Sequence, residues 1–228
     1  MKRSIYFVLI IQLILTACSN DSMNEVSDDS FLAEWDITIP YQDVTQTETY
    51  HLLEVLIDSI DKNQARFVLF TVTYLNEYIW NNEEATALFQ REDCVSVLIS
   101  TYLISIQTKK FLIQDDSWWT PMRFRFLEFI LMSDRFMDKM NKTEKNQLMV
   151  LALEMAKYEE CTSTPFSIMI SIMRSCNYEH FVNDVIIREA SSGVSYWFEM
   201  KDGSVWDNVE QTHTLLIKYA KQFINDNK

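Results

Sequence analysis

Apolar residues recur along most of this chain at the three- and four-residue spacing of helices wrapped around a core. Leu52, Leu53, Leu56, Ile57 and Ile60 share one helical face, and Thr45 with Glu48 three residues on reads as the capping box that opens that helix. A second helix is expected over about 64–80, where Phe67 to Phe70, Val72, Leu75 and Ile79 are dense enough to be buried on most sides. The stretch 93–107 is rich in Val, Ile and Thr, as a strand would be. Its Val95, Leu98, Ile99, Tyr102, Leu103 and Ile106 nevertheless keep a 3.6-residue period, so it is expected to be helical.

Two sharper helix starts follow at Thr120-Pro121 and Thr164-Pro165, where threonine caps free amides and proline takes a position whose N–H has no partner anyway. Each opens an expected helical hairpin, the first over 121–140 and 144–158, the second over 165–174 and 178–190. A last helix is expected over about 207–224. The chain has only two glycines and three prolines, too few turn formers for a many-stranded β fold. The two Thr-Pro pairs lie 44 residues apart, a spacing similar to the helix-pair period of HEAT and armadillo repeats, about 40 to 47 residues. That resemblance is confined to roughly 120–191. The expected fold is all-α, either an irregular helical bundle or a short HEAT-like α-solenoid of helical hairpins. The segment VSYWFEM, 194–200, followed by Lys201-Asp202-Gly203, is open to a small β-hairpin near 194–206.

The beginning of the chain has a different pattern. Lys2-Arg3 precede an apolar run from Ile5 to Leu15 interrupted only by Gln12, whereas a membrane-spanning helix needs about 20 apolar residues. A positive start, a short apolar core and small residues at its end make a secretory signal. Leu15-Thr16-Ala17-Cys18 resembles the lipobox of bacterial lipoproteins, with Cys18 as the modified thiol. The resemblance implies a diacylglyceryl thioether on Cys18, cleavage between Ala17 and Cys18, and acylation of the new amino group. Two or more such chains give stable membrane attachment where one does not. The expected organisation is a signal peptide at 1–17, the lipidated cysteine and a flexible acidic tether at 18–34, and one helical domain at 35–228. Asp21, Glu25, Asp28 and Asp29 in the tether resemble the export signals of surface lipoproteins of the Bacteroidota, although a generic solvated linker has the same composition. The expected address is the bacterial cell envelope, at the outer membrane, on its periplasmic face or the cell surface.

The formal charge of −13 falls further when Lys2 and Arg3 leave with the signal. Such a balance lacks the basic stripe that phosphate binding requires, so no nucleic-acid partner is expected. Beyond Cys18 the cysteines are Cys94, Cys161 and Cys176. Cys161 and Cys176 flank an expected helix and are close enough in sequence for a bridge, but buried free thiols are favoured, because Cys94 and Cys176 both sit among Val, Ile and Met.

Chemistry-bearing motifs are sparse. His51, His180 and His213 are scattered, and Cys176 and His180 share a face only if one helix continues past Asn177, which reads as a cap. No metal and no cofactor is expected. Asp115-Asp116 and Glu159-Glu160 read as solvated surface rather than acid/base pairs, and no nucleophile elbow or phosphate loop occurs, so no catalytic residue is assigned. Met132, Met137, Met140, Met149 and Met155 read as packing filler. Aromatic residues make up 13% of the chain. Most belong in a core, but Trp118, Trp119, Tyr196, Trp197 and Trp206 combine large apolar faces with polar handles and are the candidate binding surface. The expected function is a non-enzymatic, membrane-anchored domain that binds protein or glycan. Toxin neutralisation is the alternative from another class, and an envelope hydrolase with an unrecognised site is the third.

Overall fold

The structure, a computed structural model, describes residues 37, 39, 43–62, 72–108, 119–161, 164–189, 196–201 and 209–227. These residues form α1 (Glu48–Lys62), α2 (Val72–Asn81), α3 (Glu83–Phe89), α4 (Cys94–Gln107), α5 (Trp119–Leu131), α6 (Asp134–Met137), α7 (Lys142–Met155), a 3-10 segment (Ala156–Cys161), α8 (Thr164–Ser175), α9 (Glu179–Asp184), strands β1 (Val185–Glu189) and β2 (Tyr196–Met200), and α10 (Val209–Asp226). The fold is all-α, with one antiparallel two-stranded ribbon among the described residues.

Six helices make two layers. In one, α1 packs on α5 and α5 on α8; in the other, α4 packs on α7 and α7 on α10. The layers meet where α4 crosses α1 and α5, and where α8 crosses α7 and α10. The short α2, α3 and α6 close one end against α1, α5 and α8, while α9 leads from α8 into the ribbon. The expected pairing within 121–158 is replaced by this stack, since α7 packs chiefly on α8, the next helix in sequence.

Burial follows the periodicity. Leu53, Leu56, Ile57 and Ile60 of α1 are buried, and so are all six residues that set the period of α4. Every residue from Leu148 to Met155 of α7 is also buried. Full burial of each such aliphatic side chain contributes about 1.5–3 kcal/mol, which is why α4 and α7, sealed on nearly every side, anchor the fold. All five methionines read as filler are buried.

Several local expectations are corrected. The cap of α1 is Thr47, whose hydroxyl accepts from Tyr50 N–H at 3.1 Å, while Thr45 is occupied with Asp43. The expected helix 121–140 stops at Leu131, because the Ser133 hydroxyl donates to Ile130 O and accepts from Phe136 N–H, ending one helix and capping the next. A capping box at Asn141 and Glu144 then opens α7, a signal present in the sequence but passed over. The expected helix 178–190 ends at Asp184, and Val185 to Glu189 pair with β2 in the register Val185↔Met200 to Glu189↔Tyr196. The β-branched run Val185-Ile186-Ile187 suits a strand better than a helix once an extended partner is at hand. The hairpin expected near 194–206 therefore exists in part, with its partner strand upstream rather than downstream.

Asn177 ends α8 as expected. At φ 46° it takes the left-handed position, and Tyr178 N–H reaches Met173 O while Asn177 N–H reaches Arg174 O, closing a Schellman motif. Cys176 and His180 consequently lie on different helices. Cys94 is a buried free thiol, but Cys176 is a free thiol on the surface, because it sits at the solvent-facing end of α8 rather than within its apolar face.

Candidate functional site

Several residues singled out from the sequence fall outside what the structure describes. Ala17, Cys18, Trp118 and Trp206 lie outside the described residues, as do Asp115 and Asp116. Trp119 opens α5 and Tyr196 and Trp197 lie in β2, facing Glu189 and Arg188 in the ladder, with only their backbones described. The exposed large apolar side chains among the described residues are Val55 and Trp80, each 50% accessible. Trp80 lies against the Arg135 guanidinium, 5.1 Å from its ring centre, and Arg135 also bonds to Ile79 O and the Thr86 hydroxyl. That cluster ties α2, α3 and α6 together.

A groove of about 320 Å³ lies where α1, α4 and α5 meet. Three residues four apart on α1, Tyr50, Glu54 and Asp58, form one stripe along its edge. Two like-charged carboxylates at this spacing repel, and Arg123 of α5 compensates: it donates to Glu54 Oε2 at 2.6 Å and to Asp58 Oδ1. Burial works to lower the Arg123 pKa, but the bond to Asp58 and the charge of Glu54 outweigh it, and the guanidinium is held charged more firmly than usual. The Tyr50 pKa rises through burial and then through the neighbouring charge of Glu54.

α4 supplies Thr101 and Ser105, whose hydroxyls donate to Val97 O and Thr101 O, both at 2.7 Å. Ile57, Phe124 and Leu127 complete the wall. Behind it, Phe124 stacks on Tyr102 with ring centres 5.4 Å apart, and the fully buried Tyr102 donates to Glu128 Oε1 at 3.0 Å. Burial, then the Glu128 charge, drives the Tyr102 pKa well above its ordinary value.

A second concavity, about 450 Å³, is a shallow polar loop over Gln90, Arg91, Glu92 and Asp93. There Arg91 pairs with Glu48 and bonds to the Thr49 hydroxyl, which donates to Asp93, so these groups join the start of α1 to the start of α4.

The histidines serve separate contacts. His213 stacks flat on Phe166 at 3.6 Å, and His180 Nε2 lies 3.9 Å from Asp226 Oδ2, whose carboxylate also accepts from Tyr178. Among the described residues, no group of three or more His, Cys, Asp or Glu side chains is arranged to hold a metal ion. No described helix is long and apolar enough to cross a membrane.

Sequence reasoning missed the groove. Its α1 stripe was visible as the polar edge of an amphipathic helix, but the approach of Arg123, 65 and 69 positions from its partners, has no local signal. No protein-family model matches this chain, and no curated protein or solved structure matches it either.

Proposed function

We propose that this protein is a lipid-anchored lipoprotein of the bacterial envelope whose helical domain binds a partner by surface complementarity rather than by catalysis. The anchor half of this reading draws on Lys2-Arg3, the apolar run and Leu15-Thr16-Ala17-Cys18. The binding half draws on one observation, the groove between α1, α4 and α5. Its polar groups are held in place, with Arg123 clamped by two carboxylates and the Thr101 and Ser105 hydroxyls bonded to the backbone, so a ligand meets a wall that is already ordered. Glu54 in the groove is paired to Arg123, an arrangement suited to positioning rather than to proton transfer.

The test is cross-linking of the intact protein in its own membrane, capture, and mass spectrometry, with Cys18→Ala as control. The expected outcome is a diacylglyceryl-modified Cys18 in the wild type, and a specific partner that is lost from the Cys18→Ala sample. An unmodified Cys18 overturns the anchor, and capture of background proteins alone overturns the stable-partner reading. A second reading, neutralisation of a basic toxin, is favoured by the formal charge of −13. It requires a toxin encoded beside this protein, and a gene neighbourhood without one removes it.

A further inference from the structure

We infer that the surface formed by Trp80, Thr86 and Arg135 seats a single carboxylate, an aspartate or glutamate side chain of a protein partner, in the free fork of the Arg135 guanidinium. The inference goes beyond the reading above, for it uses neither the anchor nor the α1–α4–α5 groove. It starts from where the five guanidinium N–H groups go. The Thr86 hydroxyl donates its proton to Asn82 O, which leaves its lone pairs to accept, and Arg135 Nη1 and Nη2 both donate to it at 3.2 Å. An oxygen equidistant from both amino groups lies on the end edge between them. The outer Nη1 hydrogen goes to Ile79 O at 3.0 Å. What is left is Nε–H and the Nη2 hydrogen parallel to it, the edge that grips a carboxylate through two hydrogen bonds. Nε is open to water.

The fork is held still before a ligand arrives. The guanidinium carbon lies 5.1 Å from the centres of both the Trp80 and the Phe89 rings, within the roughly 6 Å of a cation–π contact. Two rings and two acceptors fix the side chain, so little ordering is left for a partner to impose.

The fork also lacks an acid. Arg91 and Arg123 each pair with a carboxylate, whereas Arg135 pairs with none among the described residues, although Glu77, Glu83, Glu84, Asp134 and Asp138 lie on or beside the same three helices. Burial moves the Arg135 pKa below its ordinary value, and no carboxylate opposes the shift. In a chain of formal charge −13, a partly buried guanidinium left without an acid is an electrostatic gap that a partner's carboxylate fills. A phosphate has oxygens for the same fork, but its second charge is repelled by those acids, and it leaves bare the half of Trp80 that faces solvent. A carboxylate on a protein surface brings one charge and apolar neighbours that cover the ring. Trp and Arg are also the residue types on which binding energy concentrates at protein interfaces.

The test is NMR of the full chain, isotope-labelled and purified in dodecyl maltoside, following the Arg135 Nε–H and Trp80 indole signals assigned through bonds. The probe is acetyl-Leu-Glu-Leu-amide, with acetyl-Leu-Gln-Leu-amide as its uncharged twin and inorganic phosphate as the competing anion. The expected result is a saturable shift of both signals with the glutamate peptide and at least roughly fivefold weaker binding of the glutamine peptide. The negative charge of the chain works against an acidic peptide, so diffuse attraction cannot produce this order. Arg135→Lys keeps the charge and loses the fork, and is expected to bind at least roughly fivefold more weakly. Lys221→Gln removes a charge from the exposed face of α10 and is expected to bind as the wild type does.

The wild-type titration is decisive even where Arg135→Lys does not fold, since a guanidinium that only braces α2, α3 and α6 leaves its signal unmoved. An unmoved Arg135 signal, equal binding of the two peptides, or phosphate binding more tightly than the glutamate peptide overturns the inference. So does a folded Arg135→Lys variant that binds as the wild type does.

Discussion

Two carboxylate clusters sit about one helical turn apart along α5 and are held in opposite ways. At Glu128 the carboxyl is fully buried and takes its hydrogen bond from Tyr102, itself sealed beneath Phe124. At Arg123 the guanidinium is 24% exposed and shared between Glu54 and Asp58, both open to water. Burial makes the first cluster costly to disturb and inaccessible to a ligand, so its role is to fix the crossing of α4 on α5. Solvent makes the second cheap to disturb and accessible, so its role is to present an ordered polar edge. The number of charged groups says little about which cluster holds the fold and which faces solvent; their access to water decides it.

Alkaline pH should separate the two clusters most strongly. Tyr50, Tyr102, Tyr178 and Tyr219 all have pKa values raised above the ordinary 10.0, first by burial and then by a neighbouring carboxylate, with Tyr219 pushed up to about 12. A raised folded-state pKa means the native protein holds its proton when the unfolded chain has lost it. The resulting stability is intact below pH 10 and is lost as pH climbs towards the folded-state values. For the fully buried Tyr102 the loss is about 1.4 kcal/mol per pH unit. Denaturant unfolding monitored by circular dichroism should show a falling midpoint above pH 10, while Arg123, held charged, keeps its ion pairs. A flat profile from pH 9 to 11 would break the comparison.

Removing the phenol that bonds Glu128 tests the same cluster at neutral pH. Tyr102→Phe should cost about 2 kcal/mol, seen as a Tm drop of about 4–8 °C for a chain of this size. The ring stacked on Phe124 is retained, so the loss reports the hydrogen bond rather than a cavity. Glu128→Gln, which still accepts from Tyr102, should cost less than Tyr102→Phe. The reverse order would place the main support of Glu128 elsewhere.

The difference between the clusters also marks where the sequence stops being readable. The apolar period of α4 named Tyr102 as a core residue, and the amphipathic pattern of α1 placed Ile57 inward, because both follow from burial along one helix. Neither period carries the distance across the layers, so Tyr102 with Glu128 and Arg123 with Asp58 were invisible until α5 was packed. Local rules failed where a side chain competed with the backbone: Ser133 cut a helix that apolar spacing alone extends to Met140, and Thr47 took the cap that Thr45 spacing suggested. The run Val185 to Glu189 is ambiguous on its own and becomes a strand because β2 reaches it. The groove needs three helices far apart in sequence, which is why the aromatic residues, visible one by one, drew attention instead.

The smallest stability effect is expected at the exposed cluster, where it is also the most telling. Arg123→Gln should cost only about 0.5–1 kcal/mol, because water solvates the released carboxylates and the pairs are weak to begin with. High salt should reduce even that difference, since about 1 M salt screens charges beyond about 3 Å, whereas the penalty of Tyr102→Phe should hardly respond. The same substitution removes the only positive charge lining the groove among the described residues. A loss as large as that of Tyr102→Phe and indifferent to salt would make Arg123 one more brace of the fold and would erase the contrast between the two clusters.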